Sequence, residues 1–295
     1  MNRVNDFAKI ANKQQAYIAG ILLSDGHITL NNQVVELWVQ LSDKELPLYF
    51  KEYFEDNCTY RENYKFNKKS RQFPKAGIII YSKVFKENMI KLFGGRLKKD
   101  KRCPIISKSL EQYLLRGIFD GDGCITWGYR KDRDRLWQKV SFTSSLSILQ
   151  GVQQILINNN ISTIIRPKSN EDCFIMEFSN ELDIYRFYRF IYQDLDMFYL
   201  SRKYNTFKEW LSATLKKYTL NEGDKVKFIS VNTAKKYGLD SSKIDYKKEF
   251  IVNKDGDVKL NSCLLRKEGF SNIALRLEMN EINESICSDI TLSQA

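Results

Sequence analysis

The feature that most constrains this chain is an internal repeat with a constant offset. The segment QQAYIAGILLSDGHITL at 14–30 is matched by EQYLLRGIFDGDGCITW at 111–127, so that Asp122, for example, lies 97 positions after Asp25. The segments GIIIYSKVFKENMI and CFIMEFSNELDIYRF further along match at nearly the same offset. A duplicated segment of this length predicts two similar structural units in one chain, related by an approximate two-fold axis.

Hydrophobic periodicity assigns the same elements to both copies. Alternating apolar residues predict strands, and apolar residues three or four apart predict helices, so each copy has the order α-β-β-α-β-β-α. The clearest predicted elements are strands at 27–30, 34–41, 124–129 and 136–142 and helices at 45–55 and 147–158. The fold class is therefore α+β, with two pseudo-symmetric halves.

The repeat ends near residue 220. Beyond it, stretches such as EFIVNKDGDVKLN, with a turn-forming Asp-Gly pair, indicate a small α+β appendage. We therefore predict three parts: a first half at 1–100, a second half at 101–220, and an appendage of unknown role at 221–295.

Charge and composition narrow the possible chemistry. Lys and Arg exceed Asp and Glu by 47 to 36, and the whole excess lies in the first 220 residues, which favours a polyanionic partner there. The single histidine, His27, excludes histidine-based triads and two-histidine zinc sites, and no two cysteines have zinc-ribbon spacing. The N-terminal segment lacks the apolar core of a signal peptide, and no stretch is long and apolar enough to cross a membrane. We expect an intracellular, soluble protein whose chemistry depends on carboxylates, lysines or a metal.

Small residues recur one turn apart in the two copies of the first helix, Gly20 and Ser24 in one and Gly117 and Gly121 in the other. A glycine inside a helix costs roughly 1 kcal/mol relative to alanine, so the repeated stripe predicts a close approach between the two helices. Each helix then ends with an Asp-Gly pair, whose glycine we expect in the left-handed conformation typical of helix C-termini.

The aspartates of these pairs, Asp25 and Asp122, are the strongest functional candidates. An aspartate at a helix C-terminus faces the negative end of the helix dipole, and bringing two together adds repulsion that divalent cations would relieve. Carboxylate oxygens, water and phosphate suit Mg²⁺, and two such sites can serve one phosphodiester in each of two strands. A simple turn would explain one Asp-Gly pair, but duplication favours a functional role. Asp120, whose counterpart is Leu23, is predicted to be auxiliary or structural.

These residues resemble a known family. The segments IAGILLSDG at 18–26 and LRGIFDGDG at 115–123 are similar to the LAGLIDADG motif of homing endonucleases of the double-motif, single-chain type, and the resemblance extends over about residues 10–215. It implies a monomer whose two antiparallel sheets form a saddle on DNA, with Asp25 and Asp122 binding Mg²⁺ or another divalent cation such as Mn²⁺. It also implies cleavage of both strands across the minor groove, leaving short 3′ overhangs. Leu23, Ser24 and Arg116 depart from the usual motif without removing either acid.

The resemblance further implies a basic residue near the active centre after the last helix of each half. In the second half it indicates Lys203. In the first half Lys99 and Lys101 both fit, and Lys101 is favoured by its distance from Pro104. The alternative is that these are ordinary solvated lysines. Gln40 and Thr143, near the ends of the second strands, are further polar candidates.

A sheet lying on DNA needs polar or basic side chains on its outer face, because such groups read base edges and bind phosphates. The alternative for the charged loops is a solvated surface. The DNA-binding candidates are Thr29, Asn31, Trp38, Gln40, Arg61, Lys68, Lys69, Arg71, Arg130, Arg135, Trp137, Lys139, Arg166 and Lys168.

The predicted function is site-specific, Mg²⁺-dependent cleavage of double-stranded DNA by a monomer. The alternatives are an RNA maturase that assists intron splicing, with intron RNA as its partner, and a DNA-binding regulator that does not cleave. Retention of Asp25 and Asp122 argues against the regulator. Abundant Asn, Lys, Ile and Tyr indicate an AT-rich genome, so we expect a bacterial or phage-infected cytoplasm or an organelle.

Overall fold

The computed structural model describes residues 5–30, 32–64, 73–97, 99–131, 135–168, 172–218, 225–228, 249–251 and 265–267. It divides into two compact units, Met1–Lys208 and Glu209–Ala295. The first unit contains both copies of the repeat. The boundaries at 100 and 220 stay a prediction. In the part of the chain that the model describes, no helix has the length and apolar character needed to cross a membrane.

Both halves of the first unit have the element order that the repeat predicted. The first half consists of α1 (Lys13–Ser24), β1 (Gly26–Ile28), β2 (Val34–Gln40), α2 (Glu45–Phe54), β3 (Cys58–Asn63), β4 (Lys75–Tyr81) and α3 (Lys83–Phe93). The second consists of α4 (Glu111–Asp122), β5 (Gly123–Arg130), β6 (Arg135–Ser144), α5 (Leu146–Asn158), β7 (Ile164–Pro167), β8 (Phe174–Phe178) and α6 (Glu181–Tyr192). An additional helix, α7 (Ser201–Tyr218), follows.

Each half forms one antiparallel sheet, and the two sheets have the same strand order, β1-β2-β4-β3 and β5-β6-β8-β7. The α+β prediction with two similar halves is therefore confirmed. Strand β1 ends at Ile28, two residues earlier than expected, and in the turn that follows the Thr29 hydroxyl donates to the carbonyls of Asn32 and Val34. The second unit contains a separate antiparallel sheet in which β9 (Lys225–Phe228) lies between β10 (Glu249–Ile251) and β11 (Leu265–Lys267).

Side-chain caps begin three of the helices. The Asn12 side chain accepts a hydrogen bond from the Gln15 N–H at the start of α1 (2.9 Å), and Asn180 does the same for Leu182 at the start of α6 (2.9 Å). Ser82 caps α3 through the Phe85 N–H (3.1 Å). Such caps typically stabilise a helix by about 1 kcal/mol each.

Aromatic side chains of the helices pack together at the centre of each half. Phe7, Phe54 and Phe85 are in mutual ring contact in the first half, with centroids 5.0 to 5.9 Å apart. In the second half Phe119 and Phe187 are in contact at 5.1 Å, and all five rings are almost fully buried. Burial of each such ring contributes about 2 to 3 kcal/mol, so each half has its own core.

Helices α1 and α4 pack against each other at the centre of the first unit. Every residue of α1 from Gln15 to Ser24 is buried, as expected of a helix surrounded by other elements. A Cβ atom placed on Gly20 would lie 2.9 Å from the Gly117 Cα, and one placed on Gly117 would lie 3.0 Å from the Gly20 Cα. Only glycine fits this approach, so the predicted contact between the motif helices is confirmed.

The start of α7 is tied to the first half by polar contacts. Arg202 donates two hydrogen bonds to Asp43, at 2.7 and 2.9 Å, and Ser201 bonds Glu45 through its N–H and its hydroxyl. Asp43 is buried, whereas the Arg202 side chain is 57% exposed, so the pair chiefly fixes geometry. These contacts hold α7 in the position from which Lys203 extends into the first unit.

Candidate active site

The two motif aspartates lie at the same end of the central helix pair. Asp25 directly follows α1, its N–H bonds the Ile21 carbonyl (2.9 Å), and its side chain is exposed. Asp122 is the last residue of α4 and is half-buried. A Cβ atom placed on Gly121 would lie 3.1 Å from the Asp25 Oδ2, so the carboxylate of the first half lies against the backbone of α4, one residue before Asp122. The contact between the helices therefore brings the two acids together.

Asp122 has a partner that the sequence did not reveal. The Ser144 hydroxyl, at the end of β6 and almost fully buried, donates a hydrogen bond to the Asp122 Oδ2 (2.9 Å). Twenty-two residues separate the two, and only the return of β6 alongside β5 brings them together. No local sequence pattern identifies such a contact, although its neighbour Thr143 was a polar candidate.

The prediction that the two motif glycines, Gly26 and Gly123, adopt the left-handed conformation is wrong. Gly123 is extended, with φ −87° and ψ 156°, and among the described glycines only Gly94 has a positive φ. Glycine is needed for space instead, because a Cβ on Gly26 would lie 2.7 Å from the Leu22 Cα and one on Gly123 would lie 2.6 Å from the Phe119 carbonyl oxygen. The chain passes directly from helix to strand against the last helical turn, and no loop intervenes.

A buried lysine is bonded to the end of each motif helix. Lys101 Nζ donates to the carbonyls of Leu22 and Gly26 at 3.1 and 3.0 Å, and Lys203 Nζ donates to the corresponding carbonyls of Phe119 and Gly123, both at 2.6 Å. Lys203 also bonds the Asp120 carbonyl at 2.8 Å. Leu22 and Phe119 are 97 positions apart, as are Gly26 and Gly123, so the two lysines occupy equivalent places in the two halves.

The alternative that these lysines are solvated at the surface is wrong for both. Lys101 is 2% exposed and Lys203 is 4% exposed, whereas Lys99, the other candidate of the first half, is exposed. Desolvation lowers the pKa of Lys203 to about 8, although the charge of nearby Asp120 opposes this. An ammonium group at a helix C-terminus offsets the negative end of the dipole, and here it lies close to an aspartate of the same motif.

Asp120 is structural and joins the two halves, as its lack of a counterpart indicated. It is 3% exposed, and its Oδ2 accepts hydrogen bonds from the Tyr17 hydroxyl of α1 (2.8 Å) and from the Leu200 N–H (3.0 Å). Burial raises its pKa from 3.8 to about 6, and the positive charge of Lys203 is the largest influence in the opposite direction. The carboxylate therefore links α1, α4 and the start of α7.

The raised pKa of Asp120 predicts a pH-dependent stability. The folded protein binds the Asp120 proton more tightly than the unfolded chain does. The protonated side chain therefore contributes its full stabilisation below pH 3.8, and this contribution is lost as the pH rises through 6. Between pH 4 and 7 we expect the wild type to lose about 3 kcal/mol of unfolding free energy relative to Asp120→Asn, which retains the acceptor oxygen but cannot ionise. Urea titrations of both proteins across this range measure the difference. Stability curves of the two proteins that run parallel across this range would contradict the assignment.

The donor atoms at the site fit a hard divalent cation. Asp25 and Asp122 supply carboxylate oxygens at the C-terminal ends of α1 and α4. Among the described residues, no group of three or more His, Cys, Asp or Glu side chains could hold a metal ion. The protein thus offers two carboxylates, and water and phosphate oxygens would complete a shell of the kind that Mg²⁺ prefers.

On the first sheet, the candidates lie in two neighbouring rows of the outer face. Trp38 is opposite Gly77, which is in turn opposite Arg61, and Gln40 is opposite Lys75. The Trp38 ring covers Gly77, since a Cβ there would lie 2.5 Å from the indole Cδ2. Lys75 is exposed in the same row as Gln40, so the last residue of the basic segment 65–75 belongs to strand β4 and not to a loop. Thr29 lies in the turn after β1 and not on a strand face. Asn31, Lys68, Lys69 and Arg71 lie outside the described residues.

The second sheet has a more basic outer face. Arg130 is exposed and lies opposite Arg135 in the strand register, at the far end of the β5–β6 hairpin. Trp137 lies opposite Gly128. Lys139 and Arg166 are both ion-paired with Glu177. Of the two remaining candidates, Lys168 follows β7 and is exposed. Thr143 lies near the end of β6 and is half-buried.

Comparison with known proteins gives the following similarities. Residues 109–192 match the model of the LAGLIDADG-like domain. No curated protein sequence matches the chain. Among solved structures, the LAGLIDADG meganuclease I-AabMI bound to uncleaved DNA is similar with a TM-score of 0.49 and 10% identity, over 71% of this chain and 93% of that one. I-SmaMI bound to uncleaved DNA in the presence of calcium ions is similar with a TM-score of 0.48 and 11% identity, over 70% of this chain and 91% of that one. The resemblance seen in LRGIFDGDG is thereby confirmed, since residues 109–192 match the LAGLIDADG-like domain. The first half has the same element order as this region and contacts it through α1 and α4.

Proposed function

We propose that the chain is a site-specific endonuclease that hydrolyses one phosphodiester in each strand of double-stranded DNA. The observation that carries this proposal is the pair of equivalent centres at one end of the α1–α4 pair. Each centre combines an aspartate with a buried lysine that bonds the end of the same helix: Asp25 with Lys101, and Asp122 with Lys203. Two equal centres related by an approximate two-fold axis match the two strands of a duplex.

The side chains of each centre have separate tasks. Asp25 and Asp122 would hold Mg²⁺ or Mn²⁺, which would supply positive charge at the phosphate and a more acidic water when bound. Lys101 and Lys203 place positive charge beside the aspartates, where it stabilises the charge that develops on the phosphate. Lys203 holds this charge in place by donating to three carbonyls, although burial lowers its pKa to about 8. Ser144 orients the Asp122 carboxylate.

The outer faces of the two sheets supply the DNA-binding surface. They carry Gln40, Lys75 and Arg61 in one half and Lys139 and Arg166 in the other, and the first 220 residues hold 35 basic against 24 acidic residues. Because one chain contains both centres and both sheets, a monomer is sufficient for cutting both strands.

A binding selection followed by a cleavage step tests this function. The purified full chain would be mixed with a randomised pool of DNA duplexes in the presence of EDTA, and the bound duplexes would be enriched over several rounds. Addition of Mg²⁺ or Mn²⁺ to the enriched pool should then break both strands within a few base pairs of each other, and renewed EDTA should stop the reaction. Enriched duplexes that stay intact with either cation would favour a regulator that does not cleave. Preferential enrichment of RNA in a parallel pool would favour a maturase.

A further inference from the structure

The outer face of the second sheet carries an acid at its centre. Glu177 of β8 is the only Asp or Glu in the four strands of this sheet as the structure describes them, and it lies in one row with Ser141 and Cys124. Cys124 is the second residue after Asp122. Neighbouring strands are about 4.8 Å apart, so Glu177 lies about 10 Å across the sheet from Cys124, close to the candidate active site.

The Glu177 carboxylate holds two cations of the same face, one with each oxygen. Lys139 Nζ lies 2.7 Å from its Oε1, and Arg166 Nη2 lies 3.5 Å from its Oε2. Lys139 is on β6 and Arg166 is on β7, which flank β8 on its two sides. The Glu177 side chain is 18% exposed, while those of Lys139 and Arg166 are 43% and 61% exposed. The three groups thus form one accessible cluster with two donors around an acceptor.

This cluster contributes little to the fold. Lys139 and Arg166 are largely exposed, and ion pairs that involve solvated side chains are weak in water, so the fold does not depend on these two. An acid on a surface that binds a polyanion also weakens binding by repulsion of phosphates. A carboxylate at this place therefore calls for a role in recognition, where a repulsive group improves the choice between correct and wrong partners.

The hydrogen-bonding capacity of the cluster matches a G·C base pair. Lysine and arginine donate to O6 and N7 of guanine in the major groove, and a glutamate accepts from the N4 amino group of cytosine. A·T pairs present adenine N6 as a donor and thymine O4 as an acceptor, together with a thymine methyl group that a carboxylate does not favour. Two fixed donors beside one acceptor are therefore most complementary to guanine with its paired cytosine.

The first sheet offers a matched comparison. In the equivalent row its acid is Glu36 on β2, opposite His27 and Ile79. Glu36 accepts a hydrogen bond from Trp38 Nε1 at 3.2 Å, and it forms no ion pair with the described residues. The first half thus has an acid of similar placement without the two cations, so the cluster is particular to the second half.

We propose that Glu177 is a specificity-determining residue, which orients Lys139 and Arg166 toward a G·C pair close to the cleaved step in the second half-site. This inference rests on the proposed function. The carboxylate accepts from cytosine at the correct sequence, and at other sequences it faces the DNA without that hydrogen bond.

The test repeats the binding selection with the wild type, Glu177→Gln and Glu36→Gln, and compares base preferences position by position. For the wild type we expect one or two base pairs near the centre of the selected DNA target, in one half-site only, to be G·C with a preference of about ten-fold or more. Glu177→Gln should reduce that preference below about three-fold, with the other positions unchanged, and should bind non-specific duplex several-fold more tightly because a negative charge is lost. Glu36→Gln should leave the G·C preference unchanged.

The outcomes separate this inference from the proposed function. A merely structural role would lower the thermal stability of Glu177→Gln and weaken all positions together, and that result would overturn the inference. Unaltered G·C preference in Glu177→Gln, or the same loss in Glu36→Gln, would overturn it as well while leaving the endonuclease proposal intact. If the wild type enriches no duplex sequence at all, the proposed function and the inference both fail.

Discussion

Replacing either motif aspartate, as Asp25→Asn or Asp122→Asn, should reduce double-strand cleavage by a factor of about a thousand and leave DNA binding within a few-fold of the wild type. Asparagine retains one carbonyl oxygen but not the negative charge that a divalent cation requires, and loss of one such group at a reaction centre typically costs roughly 10² to 10³ in rate. In Asp122→Asn the side chain can still accept from the Ser144 hydroxyl, so the end of α4 should keep its structure.

The measurement uses a supercoiled plasmid that carries a selected target, because nicked and linear products report one or two broken strands. The exposed acids Asp56 and Asp172 lie outside both motif helices, so Asp56→Asn and Asp172→Asn serve as controls that should cleave normally. Full double-strand cleavage by both motif variants would refute the endonuclease proposal. Accumulation of nicked plasmid in only one variant would show that its aspartate serves a single strand.

Replacing a glycine of the central helix contact, as Gly20→Ala or Gly117→Ala, should lower the free energy of unfolding by about 3 kcal/mol or more. In an ordinary helix the same change would raise stability by roughly 1 kcal/mol, so the sign of the effect tests the contact. The new methyl group would overlap the Leu114 carbonyl in one case and the Tyr17 carbonyl in the other. Neither is a flexible side chain, so the helices themselves must separate.

Urea denaturation of each variant measures the loss. Ala19→Gly, in the same buried stretch of α1, provides the reference, with an expected cost near the roughly 1 kcal/mol of any glycine inside a helix. A stabilised Gly20→Ala would show that the helices are not in backbone contact. Cleavage should fall together with stability, because separation of α1 and α4 also moves Asp25 away from Asp122.

The repeat was enough to predict the element order of both halves, because strand and helix periodicities are local properties. It also predicted the glycine contact, since small residues at equal spacing in two related helices are typical of helices whose backbones touch. The burial of Lys101 and Lys203 could not be predicted in this way. The two lysines are 102 positions apart and not 97, because the connections that lead to them differ in length, and their carbonyl partners are distant in sequence.

Two other features depended on geometry that sequence patterns do not contain. The rule that places a left-handed glycine after a helix assumes that a loop follows, whereas Gly26 and Gly123 lead directly into strands. The residues that hydrogen-bond to Asp120, Tyr17 and Leu200, are 103 and 80 positions away in the sequence. The only sequence feature that set Asp120 apart was its counterpart in the first copy, Leu23, which is not acidic.

The contact between α1 and α4 is also informative about ancestry. Gly20 meets Leu114 and Ile118, while Gly117 meets Tyr17 and Ile21, and Tyr17 and Ile21 are the residues 97 positions before Leu114 and Ile118. Exchanging the two halves therefore maps the contact onto itself, which is the property of an isologous interface between identical subunits. One half alone contains both complementary surfaces, so a single ancestral copy could have paired with itself, and fusion of two copies then allowed each to diverge.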